Sequence, residues 1–293
     1  MFRKIINYLN LRQAGGLELF FALLMVLSAY SFMGIPMQVI LWVGLFAMLF
    51  FKRRRVSFPA FRPLFILATF VLIHDFFYLF IANGNLNAFI MQILYFGCMF
   101  MAIKVFNVEK LKGSLNLVAI ISMIGLFYQW GIIAGGEEVR PIQIPFLEMS
   151  QNRLETFSIR PSSFFMEPAA YVAFMYIPLA FSLIERKFVW TVVIILSEFL
   201  TTSTTGLLTS FIMLIVYVFT QKVSFKIRLL TILMGVGIVF ALTYFEVFQT
   251  SINKLENTDM ETNMRLAQGA YVVSTMKPEE IILGAPYHSA YEY

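Results

Sequence analysis

Long hydrophobic runs, separated by short polar stretches, extend from residue 17 to residue 248. A helix that crosses a bilayer needs about 20 apolar residues, within a range of roughly 17–25. The pattern therefore predicts an all-α, polytopic integral membrane protein with about nine transmembrane helices. The predicted helices are Leu17–Met33, Pro36–Phe51, Pro63–Ile81, Ala88–Phe106, Ser114–Ile133, Pro168–Ile184, Phe188–Thr202, Gly206–Thr220 and Leu229–Phe248.

The seventh and eighth predicted helices are short and allow a second interpretation. Residues 188–220 can also form one hairpin, with its tip at residues 201–206 below the membrane surface. The tip is rich in Thr and Ser, whose hydroxyl groups can bond helix carbonyls inside a bundle. Both interpretations keep the chain all-helical.

Composition supports a membrane environment. Hydrophobic residues make up 59% of the chain and charged residues 13%, against about 25% charged in a typical globular domain. Charged side chains are too few to form the polar surface of a soluble protein of this size. Lipid is therefore expected to solvate much of the surface. The net charge of +5 is then explained by the basic bias of cytoplasmic loops, and no nucleic-acid partner is expected.

The distribution of Lys and Arg predicts the orientation. Most of the 22 basic residues lie in segment 1–16 and in the connections on the same side, such as Lys52–Arg55. The three short connections on the opposite side carry none. Because cytoplasmic loops are enriched in Lys and Arg, residues 1–16 are predicted to be cytoplasmic. The long outer loop 134–167 and the outer tail 249–293 then complete a single membrane domain.

The most informative motif is Arg160-Pro-Ser-Ser-Phe-Phe-Met-Glu167-Pro168, which leads into the sixth predicted helix. Pro is favoured in the first helical turn, so Glu167 is expected beside the helix N-terminus. An Arg fork suits phosphate oxygens, and a carboxylate can orient that Arg or act as a base. An ordinary loop salt bridge or a helix cap would leave the same pattern.

Four segments together resemble the bacterial oligosaccharide repeat-unit polymerases, the O-antigen and capsule polymerases related to O-antigen ligases. They are the motif ending in Glu167-Pro168, the tip Thr201–Gly206, Asn263-Met264-Arg265-Leu266 and Ile282-Leu283-Gly284-Ala285-Pro286. The family often has Arg in the tip, where this chain has Thr204 or Thr205. It usually has Gly where this chain has Pro286.

The resemblance implies a glycosyltransferase at the outer face of the bacterial plasma membrane. Such enzymes join oligosaccharides carried on undecaprenyl pyrophosphate and use no metal, cofactor or nucleotide sugar. A flippase and a chain-length regulator are expected protein partners, and membrane lipid surrounds the enzyme. Family members continue through further helices after the second outer loop, so we expect this chain to be a fragment of a longer protein.

The resemblance also assigns roles to residues. Arg160 and Arg265 are expected to hold the pyrophosphate leaving group, and Glu167 to act as the base or to orient an Arg. Four further residues are expected to contact the substrate or to assist: Arg140, Arg153, Glu198 and His288. For Glu198, a role in capping or packing is an equal alternative.

Two other functions compete with polymerisation. An O-antigen ligase would join the finished chain to a lipid A core. A transporter or flippase of lipid-linked sugars would instead show two similar halves and charged residues deep in several helices. His74 and Asp75 lie near the middle of the third predicted helix. Adjacent helical side chains diverge by about 100°, so the two are not expected to pair.

Overall fold

The computed structural model describes residues 2–52, 62–81, 86–139, 142–149, 160–165 and 167–220, with isolated residues between 224 and 274. This part of the chain is mostly helical and forms two compact units. The first contains the described residues among 1–41 and 106–253, and the second those among 42–105 and 254–293.

Nine α-helices and three short β-strands make up the described elements. In chain order they are α1 Phe2–Tyr8, α2 Gly16–Val26, β1 Tyr30–Phe32, β2 Ile35–Pro36, α3 Met37–Lys52, α4 Arg62–Ile81, α5 Leu86–Val105, α6 Val108–Ala134, β3 Glu148–Met149, α7 Pro168–Ile184, α8 Phe188–Leu200 and α9 Thr204–Thr220. Short 3₁₀ turns at Leu11–Gln13 and Leu27–Ala29 flank α2.

The prediction that helices fill the hydrophobic runs is confirmed in outline. A helix lies at each of the first eight predicted positions. The ninth, Leu229–Phe248, lies largely outside the described residues.

The predicted count of nine membrane spans is not supported. Among the described helices only α6, with 27 residues, is long and apolar enough to cross a membrane. The helices α7, α8 and α9 contain 17, 13 and 17 residues, fewer than the about 20 that a membrane span typically needs. The turn at Thr201–Ser203 lies within the predicted tip, whereas the 3₁₀ turn after Val26 interrupts a run that was predicted as one helix.

The first predicted helix is too long, and a small sheet replaces its end. After Ala29 the chain becomes extended, and β1 pairs antiparallel with both β2 and β3. Met33 and Gly34 have positive φ angles of 51° and 77°, which close the turn between β1 and β2. Since β3 belongs to the segment between α6 and α7, the sheet ties that loop to the end of α2.

The core of the first unit lies between α2, α6, α7, α8 and α9, which pack on one another. Its largest fully buried apolar side chains include Leu115, Leu126, Tyr171, Phe174 and Ile194. Several polar side chains are buried with them. Trp190 donates a hydrogen bond to Asn116 Oδ1 at 2.9 Å, and Asn116 donates to the main-chain oxygen of Leu9 at 3.0 Å.

Large apolar side chains cover much of the outward surface of α6. Ile124, Phe127 and Tyr128 are 63%, 57% and 62% exposed. Positions on the opposite face, such as Ser122 and Gln129, are buried. The described part of this unit thus combines polar side chains in its interior with apolar side chains on its surface.

The two ends of α6 contact different clusters. Near its start, Lys112 contacts Glu185 at 2.5 Å, and Glu185 also pairs with Lys187 at 2.6 Å. Gln129 and Trp130 lie near the C-terminal end of α6. A helix rises about 1.5 Å per residue, so these clusters are well separated. We call the end of α6 that bears Lys112 the lysine end, and the end that bears Gln129 and Trp130 the loop end.

The second unit contains α4 and α5, which pack against each other. Within α4, His74 Nδ1 lies 2.8 Å from Asp75 Oδ1. The expectation that these neighbours would not pair is therefore wrong. Their Cα–Cβ bonds do diverge, but both side chains carry polar atoms far enough from the backbone to turn toward each other. Asp75 is buried, and its second oxygen, Oδ2, has no hydrogen-bond partner among the described residues.

Candidate active site

Glu167 and Pro168 form the start of α7, as the sequence predicts. Pro168 is the first helical residue, and Glu167 is the N-cap, with extended φ and ψ of −151° and 159°. The Glu167 side chain makes no capping hydrogen bond to the helix. Its main-chain oxygen accepts hydrogen bonds from the N–H groups of Ala170 and Tyr171. The carboxylate is half-buried, and capping is not its role.

The buried amide of Gln129 holds the loop before α7 on α6. The Oε1 atom of Gln129 accepts hydrogen bonds from the N–H groups of Ser162 and Ser163, at 3.0 and 2.7 Å. Ser163 has a positive φ of 59°, a conformation that costs free energy in a residue with a side chain. The two bonds to Gln129 offset this cost and fix the direction of the loop.

Gly125 allows the loop to approach α6 closely. A Cβ atom at this position would lie 2.5 Å from Ser163 Oγ, and 2.9 Å from both Phe164 Cε2 and Ile142 Cδ1. Real Cβ atoms do not come so near to other heavy atoms, so only glycine fits without displacement of the loop. The same contacts place Ile142, from the segment after α6, next to the motif loop.

Arg160 connects the motif loop to the Thr-rich tip between α8 and α9. Its Nη1 group donates a hydrogen bond to the main-chain oxygen of Thr202 at 3.3 Å. Thr202 has a positive φ of 55°, which belongs to the tight turn between the two helices. Two segments that are 42 residues apart in sequence therefore meet at the loop end.

The tip is built by hydroxyl groups that cap the two helices. Thr201 donates to the main-chain oxygen of Glu198 at 2.7 Å, at the end of α8. Ser203 Oγ accepts from the N–H of Gly206 at 3.3 Å, at the start of α9. Trp130 of α6 donates to the main-chain oxygen of Leu200 at 2.8 Å. Trp130 thus joins α6 to the end of α8, next to the turn that Arg160 contacts.

Glu198 lies inside the bundle and not on an open surface. Its side chain is fully buried, and Oε2 accepts a hydrogen bond from the hydroxyl of Ser210 on α9. The other oxygen, Oε1, has no hydrogen-bond partner within the part of the chain that the structure describes. Of the two roles left open for Glu198, packing between α8 and α9 fits this position.

A cleft of about 960 Å³ opens at the end of α6. It continues into the segment that follows the helix and includes Ile142, the residue that contacts the motif loop near Gly125. Its lining combines an aromatic ring, two carboxylates, an amide and two glycines. The lining residues are Tyr128, Gly131, Ile132, Gly135, Glu137, Glu138, Ile142 and Gln143.

The structure thus describes three of the predicted site residues. Arg160 and Glu167 flank the motif loop at the loop end, and Glu198 is buried behind the tip. The remaining predicted residues lie outside the described part of the chain: Arg140, Arg153, Arg265 and His288.

Sequence reasoning missed the residues that position this loop. Gln129 was detectable, since it is a polar residue in the largely apolar second half of α6. Gly125 and Trp130 gave no such signal, because Gly and Trp are common in membrane helices for other reasons. In the sequence, the cleft residues Glu137 and Glu138 look like ordinary loop charges.

No protein-family model, curated protein or solved structure matches this chain. The class of the protein therefore has to be argued from its own residues. Chemically, the described site offers a guanidinium, a half-buried carboxylate and a neighbouring cleft.

Proposed function

We propose that this protein is a membrane glycosyltransferase of the bacterial plasma membrane. In this proposal it polymerises oligosaccharide repeat units that are linked to undecaprenyl pyrophosphate. The loop end faces the outer side, where surface polysaccharides are built, and the lysine end faces the cytoplasm. The proposal rests on the four sequence motifs and on the arrangement of two of them in the fold.

The observation that carries the proposal is the hydrogen bond from Arg160 to the main-chain oxygen of Thr202. The motif loop and the Thr-rich tip are the two resembling segments that the structure describes. Either segment alone is compatible with a purely structural role. Their contact supports a common site, because a shared function requires that both segments meet.

The inverted distribution of polarity supports a membrane environment. Lipid-facing side chains are apolar, while polar groups in a membrane protein turn toward the bundle interior, where they bond to other helices. Exposed Ile124 and Phe127 and buried Gln129 and Glu198 follow this pattern. Lys112, Lys187 and Glu185 gather at the opposite end from Arg160, as the positive-inside rule expects for a cytoplasmic face.

The proposed reaction is a glycosyl transfer between two lipid-linked units, and groups at the loop end assist it. A hydroxyl oxygen of the acceptor sugar attacks the anomeric carbon of the donor and forms the new glycosidic bond. The bond from that carbon to the pyrophosphate oxygen breaks, and the pyrophosphate carrier leaves with the electron pair. Arg160 stabilises the charge that develops on the leaving group. Glu167 takes the proton of the attacking hydroxyl.

The proposal is tested in cells that lack the gene and carry variants of the full-length protein. Arg160→Ala and Glu167→Ala should each collapse long surface polysaccharide to single repeat units on a gel. Arg265→Ala extends the test to the second outer segment. Normal long chains in all three variants would contradict the assignment of the site.

The same cells separate the two alternatives. A ligase defect would leave long chains attached to the lipid carrier, because polymerisation precedes transfer to the lipid A core. A flippase defect would remove lipid-linked repeat units from the outer leaflet. Only a polymerase defect leaves single units both on the outer leaflet and on the cell surface.

A further inference from the structure

The outward face of α6 carries an apolar stripe that runs directly into the cleft. Ile121, Ile124 and Tyr128 are 44%, 63% and 62% exposed, and Gly131 and Gly135 continue the same face into the cleft. Spacings of three and four residues keep these positions on one side of a helix. Tyr128 belongs to both the stripe and the cleft lining.

The cleft has the chemistry of a site for hydroxyl-rich groups. The carboxylates of Glu137 and Glu138 and the amide of Gln143 can accept or donate hydrogen bonds to hydroxyls. Gly131 leaves open space above the helix backbone, since a Cβ atom at this position would meet nothing within 4 Å. A volume of about 960 Å³ lies at the upper end of the range for ligand sites, roughly 300–1,000 Å³, and suits a short oligosaccharide. Two carboxylates disfavour a pyrophosphate in this cleft.

The stripe is adjacent to the motif loop. Gly125 follows Ile124 in sequence. Ser163 and Phe164 of that loop lie where a side chain at position 125 would be. Ile142 reaches the same spot and lines the cleft. Its main-chain oxygen is held by the hydroxyl of Tyr30 at 2.7 Å. A ligand on the stripe would therefore lie next to the loop that bears Arg160.

We propose that this face of α6 is the docking site for an amphipathic ligand, a hydrocarbon-tailed lipid with a sugar headgroup. The tail lies along Ile121 and Ile124, the first sugars stack on Tyr128, and further hydroxyls bind Glu137, Glu138 and Gln143. The identity of the lipid as a polyprenyl-linked oligosaccharide rests on the proposed function. The ligand then reaches the motif loop sideways from the bilayer.

A second apolar stripe, on α8, ends at a closed turn and provides the control. Val189 and Leu196 are 68% and 55% exposed. The end of α8, however, is closed by the buried residues Thr201 and Thr202 and by the bond from Trp130 to Leu200. Bulk lipid should contact both stripes. A lipid with a sugar headgroup should prefer α6.

The test uses the full chain in nanodiscs of phosphatidylethanolamine and phosphatidylglycerol, with a photoreactive amino acid in place of Ile124 or of Leu196. One probe is the lipid-linked repeat unit extracted from cells that lack the protein, and the other is undecaprenyl phosphate, which carries no sugar. We expect saturable labelling by the first probe at position 124 and much weaker labelling at position 196. Glu137→Gln and Glu138→Gln together should weaken this labelling about tenfold through lost charge-assisted hydrogen bonds. Labelling by undecaprenyl phosphate should not change.

Equal labelling at the two positions would overturn the proposal, because it would reflect ordinary lipid contact. Labelling that is the same for both probes and insensitive to the Gln substitutions would also overturn it. Since Glu137 and Glu138 are exposed, these variants should fold normally. If the wild-type protein elongates lipid-linked chains but labels equally at both positions, only the docking site is wrong. If position 124 labels selectively and no elongation is measured, only the proposed function is wrong.

Discussion

The guanidinium of Arg160 donates a hydrogen bond to the main-chain oxygen of Thr202 and so joins the motif loop to the turn between α8 and α9. The guanidinium of Arg stays positively charged when it donates hydrogen bonds. Arg160 therefore has two roles in this account. It fixes the turn, and it supplies positive charge at the proposed site.

These two roles can be separated by substitution. Arg160→Ala removes both the bond to Thr202 and the charge, and should lower the free energy of unfolding by about 1 kcal/mol. Arg160→Gln keeps an N–H donor and should unfold closer to the wild-type temperature in detergent. Both variants should fail to elongate chains, because neither has a guanidinium. Full elongation by Arg160→Gln would show that the charge is not needed.

Gly125→Ala should disturb the motif loop without weakening α6. The new methyl group would meet Ser163 Oγ at 2.5 Å, so the loop must shift and elongation should fall. The matched control is Gly131→Ala on the same helix, where a Cβ meets nothing within 4 Å. There alanine should raise stability by up to about 1 kcal/mol. Thermal unfolding of the two variants compares the effects, and equal stabilisation by both would contradict the close approach.

Glu198 is expected to stabilise the fold as a hydrogen-bonded side chain between α8 and α9. Glu198→Gln keeps the shape and an acceptor for Ser210, and should change the free energy of unfolding by less than about 1 kcal/mol. Glu198→Ala leaves a cavity and an unpaired hydroxyl, and should cost about 2–4 kcal/mol. Denaturant or thermal unfolding measures both. A large loss in Glu198→Gln would indicate that the negative charge is required.

The lysine end should make stability depend on pH in the acidic range. Burial raises the pKa of the Glu185 carboxyl, but hydrogen bonds from Lys112 and Lys187 outweigh this and hold the pKa below its ordinary value of 4.5. The folded state thus binds this proton less readily than the unfolded state. The stabilisation is complete above the ordinary pKa and is lost as pH falls through the lowered one.

This dependence can be measured as the unfolding temperature between about pH 7 and pH 3. Glu185→Gln should unfold at a lower temperature at neutral pH and should lose part of the acid dependence. An identical pH profile in the variant and the wild type would show that the Lys112–Glu185–Lys187 cluster does not contribute.

Hydrophobic runs predicted most helix ends closely. The helix α7 spans the predicted Pro168–Ile184, and the turn at Thr201–Ser203 lies within the predicted tip. The end of α2 at Val26 was not predicted, because the hydrophobic run continues to Met33. The sheet formed by β1 and β3 joins segments more than 100 residues apart, so local sequence could not reveal it.

The candidate site was predictable in part. The motif identified Arg160 and Glu167, and the rule for Pro at helix starts placed Glu167 correctly. The partner of Arg160 was not predictable, since it is a main-chain oxygen and leaves no trace in residue type. The complete burial of Glu198 was not predictable either, since a Glu near the end of a helix fits both an exposed and a buried position.

The most direct test of the account is elongation by the purified full-length protein. Lipid-linked repeat units are mixed with the protein in nanodiscs, without nucleotide sugar, and the products are measured by mass spectrometry. The account predicts a ladder of lipid-linked oligomers together with released undecaprenyl pyrophosphate, and the loss of both in Arg160→Ala. It would be contradicted if the wild-type protein produced no oligomers, or if Arg160→Ala produced the same ladder.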